Sequence, residues 1–392
     1  MNRIYFDNNA TTPLAPEVFE AIRPYLLEDY GNASSIHWFG QRAKAGVEKA
    51  REQVARLLGA RTSEVVFTSG GTESDNAAIL GIVEAARGER KHVVTSAIEH
   101  PAVLSTAKAL ERRGVHVTYV RVSPGGVIDP ADLAATLRPE TVLISIMHAN
   151  NELGTIQPLE EIGRIARERD IYFHSDAVQS AGKIPIDVEK LGVDLLALSA
   201  HKLNGPKGVG ALYIRRGTVL RPLMHGGHHE RDRRPGTENV AGIAGLGAAA
   251  ELARLHLAEE QTRLAALRDR LEAGILAAVP GVAVNGDRAH RVPTTTNLRF
   301  DYIEGEGFVI AMDLRGIACS TGSACSSGSL EPSHVLTAIG LKHEQARASI
   351  RFSLGRLNTD DEVDAALRIL PAVVEQLRAL SPHYRKPVTC DM

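Results

Sequence analysis

The chain has 392 residues, of which 44% are hydrophobic and 23% charged, and its formal net charge is −2. This length exceeds what one compact core holds and predicts a large domain with a smaller one. The near-zero charge argues against attraction to nucleic acid or an anionic membrane. Three cysteines and an N-terminus without an apolar signal core lead us to expect a cytoplasmic protein without a disulfide framework.

Short apolar, β-branched segments alternate with helical patterns in the first part of the chain. Strands are predicted at 65–68, 92–96, 115–120, 142–147, 171–174, 194–198 and 210–214. Helices are predicted between them, for example at 72–87, 101–113 and 159–169. This alternation predicts an α/β fold with a large, mostly parallel, seven-stranded sheet. In such sheets, ligands bind at the carboxyl ends of the strands.

The pattern changes after about residue 237, where a long alanine- and leucine-rich helix is predicted up to residue 279. Beyond it come strands at 295–300 and 349–354 and a last helix at 360–380, which together indicate a small α+β domain. We therefore place a large domain at residues 15–261 and a small one at 1–14 plus 262–392. A cysteine-bearing loop at about 319–332 belongs to the small domain.

Lys202 follows one predicted strand, and Asp176 follows the neighbouring strand 26 residues earlier. Pyridoxal phosphate needs this pair of groups. A lysine amine forms a Schiff base with the cofactor's aldehyde, and a carboxylate keeps the pyridine nitrogen protonated. Most lysines near strand ends are merely solvated, so Lys202 alone is weak evidence.

A phosphate site is predicted where Ser69-Gly70-Gly71-Thr72-Glu73 follows a strand and opens a helix. Glycines allow close backbone approach, and the helix N-terminus offers free amides to an anion. Ser199 and His201, which flank the lysine, can add donors. The alternatives are an ordinary turn with Thr72 as N-cap and a buried structural His201. The glycine spacing does not match a dinucleotide fingerprint.

Three further side chains have both a chemical and a structural interpretation. His100 precedes a helix and can stack on a flat cofactor and move protons, or merely cap that helix. Asn151 lies in a polar Asn-Asn-Glu-Leu-Gly turn and can donate to a phenolic oxygen. Arg351 faces away from its apolar strand neighbours and can bind a substrate carboxylate in two parallel bonds, or form a surface salt bridge.

Cys325 lies in a run of small residues, 320–329, that cannot pack a core. We expect an accessible thiol on a mobile loop, able to act as a nucleophile. Cys319, six residues earlier, is better interpreted as a buried hydrophobic residue. Its proximity leaves open a disulfide or a sulfur hand-off with Cys325.

Taken together, these segments resemble the cysteine desulfurases of the NifS and IscS group, and NifS more than IscS. The match extends over nearly the whole chain and rests on these motifs: Phe6-Asp7-Asn8-Asn9-Ala10-Thr11-Thr12-Pro13, Gly71-Thr72-Glu73-Ser74-Asp75-Asn76, Glu99-His100-Pro101, Asn150-Asn151-Glu152, His174-Ser175-Asp176-Ala177-Val178-Gln179, Ser199-Ala200-His201-Lys202, Arg234-Pro235-Gly236-Thr237-Glu238-Asn239 and Gly322-Ser323-Ala324-Cys325.

The resemblance implies a pyridoxal-phosphate enzyme of fold type I, the aspartate-aminotransferase fold, that works as a homodimer. It implies that Lys202 binds the cofactor covalently, that Asp176 pairs with the nitrogen of its pyridine ring and that His100 stacks on this ring. It implies further contacts for the phenolic oxygen (Asn151 and Gln179), the phosphate (Gly71, Thr72, Ser199, His201, and Thr237 of a second subunit) and the substrate carboxylate (Arg351 and Asn151).

The implied reaction converts L-cysteine to L-alanine and leaves a persulfide on Cys325 for iron–sulfur cluster assembly. Lys202 is the expected base, with His100 as proton acceptor for the Cys325 thiol. An iron–sulfur scaffold protein or another sulfur acceptor is the expected partner, and Cys325 can serve as ligand to a transient cluster shared with it. Selenocysteine lyase and class V aminotransferase are alternatives on the same fold. A sulfur carrier without catalysis would not need the cofactor residues.

Overall fold

The computed structural model describes residues 3–322, 331–382 and 384. The strands in the described residues are, in chain order, β1 (Ile4–Tyr5), β2 (Val65–Thr68), β3 (His92–Ser96), β4 (His116–Val120), β5 (Thr141–Ser145), β6 (Tyr172–Asp176), β7 (Leu195–Ser199), β8 (Gly210–Ile214), β9 (Val282–Asn285), β10 (Thr295–Phe300), β11 (Ile317–Ala318) and β12 (Ser349–Ser353).

The helices in the same residues are α1 (Pro16–Leu27), α2 (Trp38–Leu58), α3 (Gly71–Ala85), α4 (Pro101–Glu111), α5 (Pro130–Thr136), α6 (Leu159–Glu168), α7 (Val188–Leu191), α8 (Val240–Ala278), α9 (Gly305–Asp313), α10 (His334–Ala338), α11 (His343–Arg347) and α12 (Asp360–Leu380). Several begin with the expected caps. Thr359, for example, accepts from the backbone N–H of Glu362 and forms a capping box at the start of α12.

The largest sheet has seven strands in the order β2-β8-β7-β6-β5-β3-β4. β8 runs antiparallel to both of its neighbours, and the other pairings are parallel. Each of the seven predicted strands is present, so the predicted α/β fold is confirmed. β6 extends two residues further than predicted, because Asp176 still pairs with Ala197 of β7. This extension sets the Asp176 carboxylate at the end of the sheet.

Helices cover both faces of this sheet and bury it in two hydrophobic clusters. α3 and α4 contribute to one cluster, with Ile79, Ile82 and Val103 among its members. α2, α6 and the first half of α8 contribute to the other. Strands buried on both faces are typical of parallel sheets with crossover helices, which explains their nearly continuous apolar sequences.

α8 is a single helix of 39 residues, as the alanine- and leucine-rich pattern predicts. At 1.5 Å per residue it is about 58 Å long. Its length and composition would suffice to cross a membrane, but its apolar residues pack in two protein cores. Leu246 lies in the core around the large sheet, whereas Leu271 lies in a second core.

The second core surrounds the antiparallel sheet β12-β10-β9 and the parallel pair β1-β11. Phe6, Phe300, Phe308 and Phe352 are fully buried in it. The N-terminal strand therefore packs with the C-terminal part of the chain. As a consequence, residues 7–13 run between the second core and the edge of the large sheet.

Candidate active site

A cavity of about 370 Å³ opens at the carboxyl ends of the parallel strands. It brings together ten of the residues singled out in the sequence, which come from six separate segments of the chain. They are Gly71, Thr72, His100, Asn151, Asp176, Gln179, Ser199, His201, Lys202 and Arg351. Parallel strands all end at one edge, and this geometry gathers residues that lie far apart in sequence.

Lys202 ends a short 3-10 turn, Ala200–Lys202, that directly follows β7. Its Nζ donates to the carbonyl oxygens of Asn9 at 2.5 Å and Ala10 at 2.6 Å. The amine is thus held against the N-terminal segment at the cavity wall. An amine in this position can attack an aldehyde or carbonyl carbon bound in the cavity.

Asp176, which is buried, and His100, which is half-buried, are an acid and a base in the same cavity as this lysine. Burial raises the pKa of Asp176, and the nearby His100, the Val178 amide and Lys202 oppose that rise. Burial lowers the pKa of His100, with Asp176 opposing and Lys202 reinforcing the shift. Asp176 Oδ1 also accepts from the backbone N–H of Val178 at 2.9 Å, which fixes the carboxylate. A neutral ring at His100 suits stacking on a flat ligand.

His100 caps a helix and also lines the cavity, and its role in stacking or proton movement stays a prediction. Its Nδ1 accepts from the backbone N–H of Ala102 at 3.1 Å and caps α4, and its side chain lines the cavity. The cap fixes the ring's orientation, because the nitrogen that accepts from the backbone cannot turn toward the cavity.

The opposite end of the cavity is built to receive an anion. α3 begins at Gly71, so the first amides of this helix have no partner within it. The residue that precedes the helix is Gly70, so the interpretation of Thr72 as an ordinary N-cap is wrong. A Cβ on Gly71 would lie 2.8 Å from Val178 Cγ2, so only glycine permits this close approach.

Ser199 and His201 lie at the same end. Burial lowers the pKa of His201 to about 4, with Lys202, Lys207 and Lys183 contributing, so the ring is neutral at pH 7. Its Nδ1 lies 3.1 Å from the hydroxyl of Thr11. With Nδ1 engaged there, the other ring nitrogen is the one available to an anion.

Arg351 is on β12 of the second core, and its side chain is buried rather than in a surface salt bridge. Its Nη2 donates to Asp7 Oδ1 at 2.6 Å, and its Nη1 donates to the carbonyl of Asn151 at 3.0 Å. Its Nε is buried without a hydrogen-bond partner. A buried guanidinium with unused donors at a cavity is suited to a carboxylate ligand.

These residues fit pyridoxal phosphate. The cavity offers an amine at Lys202, a carboxylate at Asp176, a flat neutral ring at His100 and an anion cradle at the start of α3. The glycine at position 71 lets the start of α3 approach Val178 and Ser199 closely. These four groups can bind, in the same order, an aldehyde, a ring nitrogen, an aromatic face and a phosphate.

Sequence reasoning assigned no role to Asn9 or Lys183. Asn9 Oδ1 accepts from Lys183 Nζ at 3.0 Å, and the Asn9 carbonyl accepts from Gln179 Nε2 at 3.0 Å. Lys183 also donates to Gln179 Oε1 at 2.8 Å. Burial lowers the pKa of Lys183 to about 7, with Lys202 and Arg351 adding to the effect. The Asp-Asn-Asn motif was visible in the sequence, but nothing in its spacing indicated these partners.

Two predicted residues, Thr237 and Cys319, are not among the described residues that line the cavity. Thr237 is exposed. Cys325 lies outside the described residues. Cys319 is buried in the second core, as predicted, and burial raises the pKa of its thiol. A hand-off between the two cysteines stays a prediction.

Comparison with known proteins identifies the family. Residues 4–366 match the family model for class-V aminotransferases. A cysteine desulfurase IscS from Dictyoglomus turgidum is 52% identical over 380 residues, which cover 97% of this chain and 96% of that protein. The fold and the site thus define a class-V aminotransferase-like enzyme.

Two solved structures are similar as well. A NifS-like protein superimposes with a TM-score of 0.90 and 40% identity, covering 96% of this chain and all of the other. A structure titled SspA in complex with cysteine has a TM-score of 0.80 and 40% identity, covering 90% of this chain and 98% of the other. The chain therefore belongs to the cysteine desulfurases of the class-V aminotransferase family, which confirms the predicted family and fold type. Its greater likeness to NifS stays a prediction.

Proposed function

We propose that this chain uses pyridoxal phosphate to remove sulfur from L-cysteine, releasing L-alanine and leaving a persulfide on Cys325. The observation that carries the proposal is that one cavity contains Lys202, Asp176 and Arg351 and is also lined by Gly322. Gly322 precedes Cys325 by three residues. Chain geometry thus tethers the cysteine within about 11 Å of a residue that lines the cavity.

Each residue of the cavity would bind a different part of the cofactor. Lys202 would hold its aldehyde carbon, Asp176 its ring nitrogen and His100 its ring face. Gln179 and Asn151 would contact the phenolic oxygen, and the phosphate would lie at Gly71, Thr72, Ser199 and His201. When bound, the cofactor draws electrons from the substrate's α-carbon through its protonated ring. The buried position of Asp176 strengthens its pairing with that ring, because few waters compete.

Arg351 would bind the carboxylate of L-cysteine, together with the Asn151 side chain. Its guanidinium is held by Asp7 and by the Asn151 carbonyl, so its plane is fixed before substrate arrives. A fixed fork lowers the entropy lost on binding and orients the α-carbon toward Lys202. Lys202 then acts as the base that removes the α-proton.

Cys325 would attack the sulfur of the substrate as a thiolate. The new S–S bond forms as the carbon–sulfur bond of the substrate breaks, and that electron pair stays with the carbon that becomes the methyl group of alanine. Because His100 Nδ1 accepts from the Ala102 amide, its neutral ring carries the proton on Nε2 and would stabilise the Cys325 thiolate by donating a hydrogen bond from that nitrogen. The persulfide sulfur can then pass to an acceptor outside the cavity.

We further propose a homodimer in which Thr237 completes the phosphate site of the second subunit. Thr237 is exposed and is not among the described residues that line its own cavity. The surface carries exposed apolar side chains, including Ile36, Trp38 and Leu27, that a second copy would cover. The division into residues 15–261 and residues 1–14 plus 262–392 is supported by the separate hydrophobic cores.

The proposed setting is the cytoplasm, and the proposed acceptor is an iron–sulfur scaffold protein or another sulfur carrier. The name IscS of the Dictyoglomus turgidum relative supports this assignment. A transient cluster on Cys325 shared with such a partner belongs to the same proposal. Selenocysteine lyase activity is the second candidate, since it needs the same cavity. An aminotransferase would not need Cys325.

The test is the formation of alanine and protein-bound persulfide from L-cysteine under anaerobic, reducing conditions, with Cys325→Ala and Cys319→Ala as a matched pair. We expect the native chain and Cys319→Ala to form both products and Cys325→Ala to form neither. Alanine formation by Cys325→Ala would contradict the role given to that thiol. Alanine from L-selenocysteine alone would favour the lyase.

A further inference from the structure

A buried carboxyl group lies in the cavity wall with no role in the chemistry above. Asp75 is on α3, three residues after Thr72, and lines the same cavity as Asp176. Its side chain is only 1% exposed, yet its Oδ1 has no hydrogen-bond partner. A buried carboxylate without partners is costly, so this group needs an explanation.

The nearest polar neighbour that explains this carboxyl group is His174, whose Nε2 lies 3.4 Å from Asp75 Oδ1. This ring nitrogen is also buried without a hydrogen-bond partner. The other ring nitrogen, Nδ1, is 2.9 Å from the hydroxyl of Ser145 on the neighbouring strand. His174 and Asp176 are two residues apart on β6 and therefore project to the same face, against which α3 packs.

One proton between Asp75 and His174 would satisfy both of these atoms. It could lie on the carboxyl group, giving a neutral pair, or on the ring, giving an ion pair. At 0% and 1% exposure, neither charge would have water, and a 3.4 Å contact recovers little of the desolvation cost. The neutral pair is therefore favoured.

The other groups around the pair agree with this arrangement. Burial raises the pKa of Asp75 well above its usual value, and the nearby Asp176 and Glu99 raise it further. Burial lowers the pKa of His174 to about 3. Burial also raises the pKa of Glu99, which precedes α4, to about 8. Lys202 lowers the pKa of Asp176, which favours the negative charge on that residue.

We propose that Asp75 is a positioning residue of the cofactor site, whose protonated carboxyl group donates a hydrogen bond to His174 Nε2 and leaves the negative charge on Asp176. This proposal rests on the proposed function, because Asp176 is taken to face the cofactor's ring nitrogen. An ionised Asp75 would place two carboxylates in one desolvated site, and Asp176 would then tend to take up a proton. The ring nitrogen would lose its counter-charge.

Infrared difference spectroscopy of the cofactor-loaded enzyme tests the proton directly. The native protein should have a carboxylic-acid C=O band that Asp75→Asn lacks. The matched comparison with Glu99→Gln identifies the separate C=O band of the other buried acid. In native protein labelled with side-chain-carboxyl ¹³C aspartate, the acid band should shift to lower frequency, which assigns it to a buried aspartate because exposed aspartates are ionised at pH 7. Comparison with labelled Asp176→Asn then separates Asp75 from Asp176. Loss of an ionised carboxylate band in Asp75→Asn instead would overturn the proposal.

Absorbance of the bound cofactor provides the second measurement. Asp75→Asn keeps a neutral group that can donate to His174. The acid dissociation constant read from the cofactor's absorbance and the Kd for pyridoxal phosphate should therefore both stay within about twofold of the native values. Asp75→Ala leaves His174 without a partner and should weaken that Kd by about tenfold. A shift of one pH unit or more in the absorbance midpoint of Asp75→Asn, which is a tenfold change in the acid dissociation constant, would overturn the proposal. A native chain that takes up no pyridoxal phosphate would overturn the proposed function itself, and this proposal with it.

Discussion

Arg351 Nη2 donates to Asp7 Oδ1 across 2.6 Å, so the guanidinium we assign to the substrate carboxylate already has a carboxylate partner within the protein. Asp7 belongs to the N-terminal segment, and Arg351 belongs to β12 near the other end of the chain. The side chain of Arg351 is 2% exposed. A buried guanidinium needs such a partner, because its charge has almost no access to water.

We expect Asp7→Asn to raise the KM for L-cysteine by about tenfold, or roughly 1.4 kcal/mol, with a smaller effect on kcat. The amide keeps the size of the side chain but removes the charge that fixes the guanidinium plane. Steady-state kinetics of alanine formation measures this effect.

Asp313→Asn is the control for Asp7→Asn, because Asp313 pairs with Arg3 at 3.4 Å on the exposed surface. Exposed pairs contribute little, so its kinetics should match those of the native enzyme. A lower KM in Asp7→Asn would show that Asp7 competes with the substrate instead of orienting Arg351.

The sequence was sufficient to predict the sheet and most of the cavity lining. Apolar segments at strand spacing alternate with helical patterns, and parallel strands necessarily end at one edge. Lys202 and Asp176 were therefore predicted to converge without any knowledge of distances. The strand ends were less well predicted: β6 continues to Asp176 because pairing with β7 persists there, a contact with a distant segment that local sequence does not encode.

The contacts of the N-terminal segment could not be predicted from the sequence. Asp7 and Asn9 meet Arg351, Gln179 and Lys183 only because β1 pairs with β11 and directs residues 7–13 along the cavity. The pairing of Asp75 with His174 likewise depends on how α3 packs on β6. Such contacts arise from tertiary packing, and no periodicity along the chain reports them.

The buried acid Glu99 predicts a specific pH dependence of stability. Its pKa is raised to about 8 by burial, so the folded state binds more protons than the unfolded state between about pH 4.5 and 8. The stability of the native chain relative to Glu99→Gln should therefore fall as the pH rises through that window. The expected fall is about 4 kcal/mol between about pH 5 and 8.5.

Denaturant unfolding of cofactor-free protein at both pH values gives this difference. The Glu99→Gln side chain keeps an oxygen that can accept from the Met147 amide and from Ser96, so folding should be preserved. A difference in stability that is the same at both pH values would show that Glu99 is ionised in the folded protein.

Arg51 and Glu230 form a buried bidentate ion pair, with Nη1–Oε2 and Nη2–Oε1 distances of 2.7 Å and 2.8 Å. The pair holds a segment with positive φ at Glu230, Arg231 and Asp232, a conformation that costs energy in residues other than glycine. Glu230→Gln should destabilise the fold by about 3 kcal/mol, because a buried cation loses its counter-charge. Because this segment leads to Thr237, the Kd for pyridoxal phosphate should rise as well.

Thermal unfolding and cofactor titration measure these two effects. Glu52→Gln is the matched control, since Glu52 pairs with Arg56 at 4.0 Å on the exposed side of α2. It should change neither quantity. Equal stability of Glu230→Gln and Glu52→Gln would show that the buried pair does not hold this segment.

The most direct test of the account asks which lysine carries the cofactor. Enzyme loaded with pyridoxal phosphate is reduced with borohydride, digested and examined by peptide mass spectrometry, with Lys202→Ala alongside. We predict a phosphopyridoxyl group on Lys202 in the native chain and none in the variant. A group on Lys183, the half-buried lysine that donates to Gln179, would contradict the assignment of this cavity. So would the absence of any modified lysine in a chain saturated with cofactor.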